Sequence, residues 1–301
     1  MKREKLDSRC WMKNIDDSKE VLRLNLAGTH DCVARYVQFS RLARCQSLSI
    51  YHQLLIGIRG LDIRVKSDGE RLLMVHGNAN AYNNALRLGG QMDMVDVLAD
   101  CYRFLERFPS ECIVFQFKND SNLEREKCFN NLYNTYIKKN KKAWFLENRS
   151  PSMKEARGKI ILLRRCKMEE REEYTDMNTG IDFSRWVEQD DAVNEPLYLE
   201  TLGKHSMTFY IQDRYAYKPE PRWNEVIVPF LEERKKFDGT YVINYLSTAG
   251  GIKGPYENSK YINPRFMDYP LEKGVYYGMT YIDFPSKELV EKINNSNGDL
   301  L

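Results

Sequence analysis

The chain is poor in the side chain best suited to proton transfer near neutral pH: 301 residues contain four histidines, His30, His52, His76 and His205. Any imidazole chemistry must therefore come from a short list. No run of about 20 apolar residues is present, so no membrane-crossing helix is expected. The opening MKREKLDSRCWMKNIDDSKEV is basic but lacks the apolar core of about 7–15 residues that a secretory signal needs. No CxxC pair occurs among the seven scattered cysteines, and no histidine sits at zinc spacing from them. That excludes a zinc-ribbon type of site and favours reduced, structural thiols in a reducing compartment, although a signal trimmed from the chain would leave the same pattern. No Gly-x-Gly-x-x-Gly follows the first strand-like run, which argues against a dinucleotide-binding sheet. The formal net charge of +3 is too small for a nucleic-acid binder, and the densest basic run, Lys138 to Lys142, reads as a solvated helix face.

What is present is the composition of a globular protein, 42% hydrophobic and 30% charged, with enough apolar surface for one sizeable core. Short apolar runs recur: VLRLNLAG, GIRGLDIRV, RLLMVHG, CIVFQFKND, KIILLRR, MTFYIQD, TYVINYLS and GMTYIDF. Each reads as a strand. Helical periodicity lies between several of them, as in Met92 to Arg107, where Met92, Val95, Leu98, Ala99 and Phe104 fall on one face. Strands alternating with helices in a chain of this length predict an α/β fold, a distorted (β/α)8 TIM barrel in a single domain over 21–301, after an N-terminal extension over 1–20.

Ionisable residues gather at the carboxyl ends of these runs. His30 and Asp31 follow the first, Arg64 ends the second, His76 the third and Lys118 the fourth; Arg165, Asp213 and Asp283 end later ones. In a barrel those ends converge on one mouth, where catalytic groups sit. Either histidine alone reads as readily as an exposed loop residue. Together, each beside a glycine (GTHD and VHGN), they point to a site, since glycine lets a ligand approach closely. His52, in SIYHQLL, and His205, in LGKHSMT, read as structural.

Two histidines at one mouth can take and give a proton near neutral pH, each step contributing roughly 100- to 10,000-fold in rate. A carboxylate such as Asp283 can fix the tautomer of one of them. Arg64 supplies a permanent positive charge for the non-bridging oxygens of a phosphoryl group. A calcium site would instead need several converging carboxylates, for which Asp31 and Asp62 are candidates. Arg64 lies two residues from Asp62 along a strand and so on its face, where a guanidinium disfavours a bound cation. The expectation is a site with no metal and no cofactor.

LAGTHD at 26–31, QLLIGIRGLDIRV at 53–65, VHG at 75–77, IVFQFKND at 113–120, GKIILLRR at 158–165, YIQDRYAY at 210–217, NYLSTAGG at 244–251, KYINP at 260–264 and GMTYIDF at 278–284 resemble, in order and spacing, motifs of the metal-independent, bacterial-type phosphatidylinositol-specific phospholipases C, the X-domain family. The resemblance spans nearly the whole chain and implies a distorted (β/α)8 barrel acting on phosphatidylinositol. It further implies that His30, oriented by Asp283, is the general base on the inositol 2-hydroxyl. His76, assisted by Asp31, is the general acid on the departing diacylglycerol oxygen. Arg64 stands in place of calcium, and Lys118, Arg165, Asp213 and Tyr215 hold the inositol, the tyrosine against its apolar face. The products implied are diacylglycerol and inositol 1,2-cyclic phosphate, opened later by water.

Two departures from the family pattern are visible. Cys32 replaces a serine that often follows GTHD, at a position without a proton-transfer role. Ile252–Lys253–Gly254 stands after NYLSTAGG, where secreted members often carry tryptophan. Lys253 favours an anionic surface by about 1 kcal/mol. The implied partner is phosphatidylinositol, or its glycan-anchored form, at a membrane touched only peripherally by a monomer. The alternatives are a metal-dependent glycerophosphodiester phosphodiesterase of the same barrel type, for which Arg64 occupies a ligand's place, and a barrel that only binds inositol headgroups, which would have no need of both histidines.

Overall fold

The computed structural model describes residues 7–69, 71–120, 127–189, 195–234 and 239–300. Its frame is a curved sheet of parallel strands: β1 (Leu26–Thr29), β2 (Gly60–Asp68), β5 (Ile113–Asn119), β6 (Ile160–Arg165), β7 (Ile181–Asp182), β9 (Thr208–Gln212), β10 (Tyr241–Tyr245) and β11 (Met279–Ile282). Between β2 and β5 the chain makes an excursion through β3 (Arg71–His76) and β4 (Ala79–Tyr82), and β8 (Leu197–Glu200) pairs antiparallel with β9. Parallel pairing runs from β7 through β6, β5, β2, β1, β11 and β10 to β9. Among the described residues no pairing joins β7 to β9, so the barrel is distorted there and β8 covers the flank of β9.

This is the expected (β/α)8 class with one exchange of parts. RLLMVHG is not a ring strand. It forms β3, antiparallel to β2 with Asp68 opposite Arg71, because the chain turns back at Gly69, whose φ of +60° suits a tight hairpin. The ring strand missing from the sequence reading is β7, whose two residues are too few to show a period. β2 runs past the mouth and β3 returns to it, so His76 still arrives at the same level as Arg64.

The helices follow their capping signals. α1 (Ser40–Ala43) and α2 (Ile50–Leu55) lie between β1 and β2. α3 spans Met94–Arg107 and starts at an Asp93 capping box closed by Asp96. Its buried stripe is Met94, Val97, Leu98, Cys101, Phe104 and Leu105. The face predicted from Met92 is thus rotated: Val95 and Ala99 are exposed, because the cap places the first turn two residues later. α4 (Pro255–Asp268) and α5 (Lys287–Asn295) flank β11.

The barrel interior is closed from below by the segment ahead of β1. Trp11, Met12, Ile15, Val21 and Leu22 are buried with the inward residues Val114, Ile161, Leu163 and Ile243. The Trp11 indole donates to the Gly57 carbonyl at 3.0 Å. Beneath it the fully buried Arg59 binds Glu111 through Nη2 at 2.6 Å and Nε at 3.0 Å. A buried pair of this kind is tolerable because the remaining guanidinium donors reach the carbonyls of Leu54, Ile58 and Arg9. The ring closes between the first and last strands: Leu26 to Thr29 pair in register with Met279 to Ile282. Asn25 and Asn297 clamp the join, each backbone–amide bond at 2.8–2.9 Å. Higher up, Gly28 leaves room for the Tyr281 ring, which a Cβ there would meet at 2.8 Å. That glycine therefore serves barrel packing, not the approach of a ligand.

Candidate active site

At the carboxyl ends of the strands a cavity of about 520 Å3 opens, lined by His30, Arg64, His76, Lys118, Asp213, Tyr215 and Asp283 together with the 247–255 loop. Two of the residues singled out in the sequence do not line it. Asp31 is fully buried beneath the histidines, and Arg165 lies in an adjoining hollow that shares Lys118. His52 is exposed on α2, its Nδ1 against the Ser49 hydroxyl at 2.8 Å, and His205 is exposed on a remote loop.

The two histidines stand edge to face with ring centroids 5.8 Å apart. In each, Nδ1 is engaged and Nε2 is left for a ligand. His30, one residue past β1, has Nδ1 2.8 Å from Asp283 Oδ1, which follows the adjacent strand β11. Its backbone is fixed by the Gln46 side chain, which donates to the His30 carbonyl at 2.7 Å. His76, at the end of β3, donates from Nδ1 to the Ala43 carbonyl at 2.7 Å, with Asp31 Oδ2 at 3.5 Å. Burial and the Arg64 charge hold the His76 imidazole below its ordinary 6.5, against the pull of the Ala43 carbonyl. Burial likewise pushes the Asp31 carboxyl well above its ordinary value, although Arg64 and His30 oppose it. Asp31 also sits at φ +39°, a turn that points the chain back under the mouth.

Arg64 is held from below. Asp62, two residues earlier on the same face of β2, takes its Nε at 3.2 Å and Nη2 at 3.1 Å. Gln116 donates to the other Asp62 oxygen at 3.1 Å while also donating to the Tyr245 hydroxyl at 2.6 Å. Burial raises the Asp62 carboxyl, but Arg64, His30 and Arg165 outweigh it and the net displacement is downward. The carboxylate that was a candidate calcium ligand is thus committed to the guanidinium.

Sequence reasoning missed three neighbours. Asp120 takes the Gly77 amide at 2.6 Å and Lys118 Nζ at 2.9 Å and stands 4.0 Å from Arg64. Burial opposes its ionisation, yet Arg64 and Lys118 hold it far below the carboxylate range. It was readable in principle, being two residues from Lys118 and so on the same strand face. Glu188 bridges Lys118 and Arg165, both at 3.0 Å, and Arg165 lies over the Trp186 ring at 3.9 Å and 3.7 Å from Asp213. Cys45 is buried below the histidines, its Sγ 3.7 Å from His76 Nδ1 and 3.6 Å from the Ala43 carbonyl. Both come from loops, where no periodicity signals direction.

The arrangement can move one proton at each histidine Nε2 while Arg64 fixes an anion between them. Residues 33–166 match the family model described as phosphatidylinositol-specific phospholipase C, X domain. That stretch includes Arg64, His76, Lys118 and Arg165; His30 and Asp31 precede it and Asp213 and Asp283 follow it. A 1-phosphatidylinositol phosphodiesterase of Listeria monocytogenes is 25% identical, over 95% of this chain and 84% of the relative. One of Staphylococcus aureus is 26% identical, over 84% of this chain and 80% of the relative. The solved structure of a pentafluoro-phenylalanine variant of phosphatidylinositol-specific phospholipase C from S. aureus superposes with a TM-score of 0.77 at 20% identity, covering 97% of this chain and 98% of that one, which carries the fold. Motifs, barrel and matched domain thus agree in their resemblance to the bacterial phosphatidylinositol-specific phospholipases C.

Proposed function

We propose that this protein cleaves phosphatidylinositol, or a glycan-bearing form of it, by internal transfer to give diacylglycerol and inositol 1,2-cyclic phosphate. The observation that carries the reading is the pair of facing imidazoles, each anchored through Nδ1, beside a buried Arg64 at a barrel mouth. His30 Nε2 takes the proton of the inositol 2-hydroxyl while Asp283 holds Nδ1–H and stabilises the imidazolium that forms. The hydroxyl oxygen attacks phosphorus. Arg64, fixed by Asp62, meets the charge growing on the non-bridging oxygens without having to reorganise. His76 then protonates the departing glycerol oxygen. In the empty site Arg64 disfavours a charged His76; the phosphodiester anion offsets that guanidinium, and proton uptake by His76 is favoured where it is needed. Water afterwards opens the cyclic ester with the histidines in exchanged roles.

Lys118, Arg165, Asp213 and Tyr215 are proposed to hold the inositol hydroxyls, Arg165 acting through its contacts with Glu188 and Asp213. The catalytic unit is taken as 21–301, with the segment before it as the floor of the barrel. Membrane contact is proposed for the rim, where Phe39, Leu42 and Ile252 are 71%, 62% and 89% exposed. Arg41 and Lys253 stand beside them, and the two segments adjoin so closely that a Cβ on Gly254 would strike the Arg41 carbonyl. Apolar side chains flanked by cations suit an anionic bilayer surface. Incubation with labelled phosphatidylinositol, followed by phosphorus NMR, tests the reaction: a cyclic phosphate appears first. Linear inositol phosphate with no cyclic precursor would mean another pathway.

A further inference from the structure

The floor of the mouth holds a thiol, an imidazole and a carboxylate in one cluster. Cys45 Sγ, a His30 ring nitrogen and an Asp283 carboxylate oxygen all lie within 4.8 Å of one another. The Cys45 side chain is fully buried, whereas His30 and Asp283 line the open cavity, so the cluster is reached from the mouth. Sulfur, nitrogen and oxygen donors in this combination match zinc and its thiophilic relatives, and not calcium or magnesium.

We propose that Cys45, His30 and Asp283 form an inhibitory site for a thiophilic divalent cation such as Zn2+, water from the cavity completing the tetrahedron. A tetrahedral zinc with ordinary bond lengths holds its ligand atoms about 3.3–3.8 Å apart, so the cluster closes with side-chain shifts of about 1 Å. The His30–Asp283 hydrogen bond at 2.8 Å opens to admit the ion. The Cys45 thiol gives up its proton to solvent and binds as thiolate. At His30 the ion takes the Nδ1 lone pair, and the proton formerly on Nδ1 resides on Nε2. Nothing is oxidised or reduced, and one proton is released per ion.

The consequence is a locked tautomer. With the ion on Nδ1 and the proton on Nε2, His30 has no lone pair for the inositol hydroxyl, and Asp283 no longer orients it. The inhibitory half of this inference rests on the reaction proposed above; the binding half does not.

Cadmium titration tests binding directly. The folded protein develops a thiolate-to-cadmium charge-transfer band in the ultraviolet that saturates at one equivalent and is displaced by Zn2+; Cys45→Ser and Cys45→Ala lose it. Zinc titration of turnover tests the consequence. The wild-type rate falls as the site fills and returns with EDTA, whereas Cys45→Ser, referred to its own metal-free rate, needs about tenfold or more zinc for half-inhibition. No band in the wild-type protein, a band that survives both substitutions, or equal zinc sensitivity with and without Cys45 would each overturn the proposal. Should phosphatidylinositol not be turned over at all, the proposed reaction fails while the cadmium band still decides the site.

Discussion

His30 Nδ1 lies 2.8 Å from Asp283 Oδ1, and the two residues come from opposite ends of the chain on neighbouring strands. The contact leaves Nε2 as the only basic nitrogen of His30. Asp283→Asn removes the charge and reverses the hydrogen-bonding preference, so kcat is expected to fall roughly 100- to 10,000-fold with KM little changed. His30→Ala and His76→Ala are expected to lose several orders of magnitude with the fold intact by circular dichroism. Near-wild-type turnover in any of the three would sink the assigned roles.

The pH dependence follows from His76. Burial and Arg64 hold its free-site pKa below 6.5, and kcat/KM reports the free enzyme. As pH rises through that value the acid form is lost, so kcat/KM declines already below pH 6.5. Bound phosphodiester favours the charged ring, so the corresponding limb of kcat lies at higher pH. Coincident limbs would argue against an anion seated on Arg64. The stability sign is equally definite: below pH 6.5 the unfolded chain binds this proton more readily than the folded one, so His76 makes the fold less stable as pH falls through that window.

In the proposed mechanism Arg64 takes the place of a divalent ion. Excess chelator is expected to leave turnover undiminished, and Arg64→Lys to lower it by about two orders of magnitude, because an ammonium cannot keep both bonds to Asp62 while facing the phosphate. Loss of activity on chelation, restored by calcium, would contradict this.

The rim should act on binding alone. Replacing Phe39 and Ile252 together by serine is expected to weaken binding to anionic vesicles by up to about a thousandfold, at roughly 2 kcal/mol for each fully inserted side chain, while hydrolysis of a dispersed short-chain substrate is unchanged. Unaltered vesicle sedimentation would place the contact elsewhere.

The site was legible where strand and function coincide. His30, Arg64, Lys118 and Asp283 end or follow apolar runs, and parallel strands deliver such positions to one mouth whatever the details of the ring. Parts that depend on approach between distant segments were not legible. Cys45 reaches the histidines because α1 folds under the mouth, and Glu188 reaches Lys118 and Arg165 from a long loop, neither of which leaves a period in the sequence. The two residues of β7 are held by pairing with β6, not by any pattern of their own. The face of α3 was misjudged because the Asp93 cap sets the phase of the helix, and a stripe counted from Met92 starts two residues too early.

The join between β1 and β11 ties assembly of the site to a strand made some 250 residues after the first. A ribosome-bound chain that has passed His76 but not reached Met279 possesses His30, Arg64 and His76 but lacks both the strand that closes the ring and the carboxylate that follows it. During translation His30 therefore stays without its Asp283 partner until β11 and the residue after it have emerged and paired.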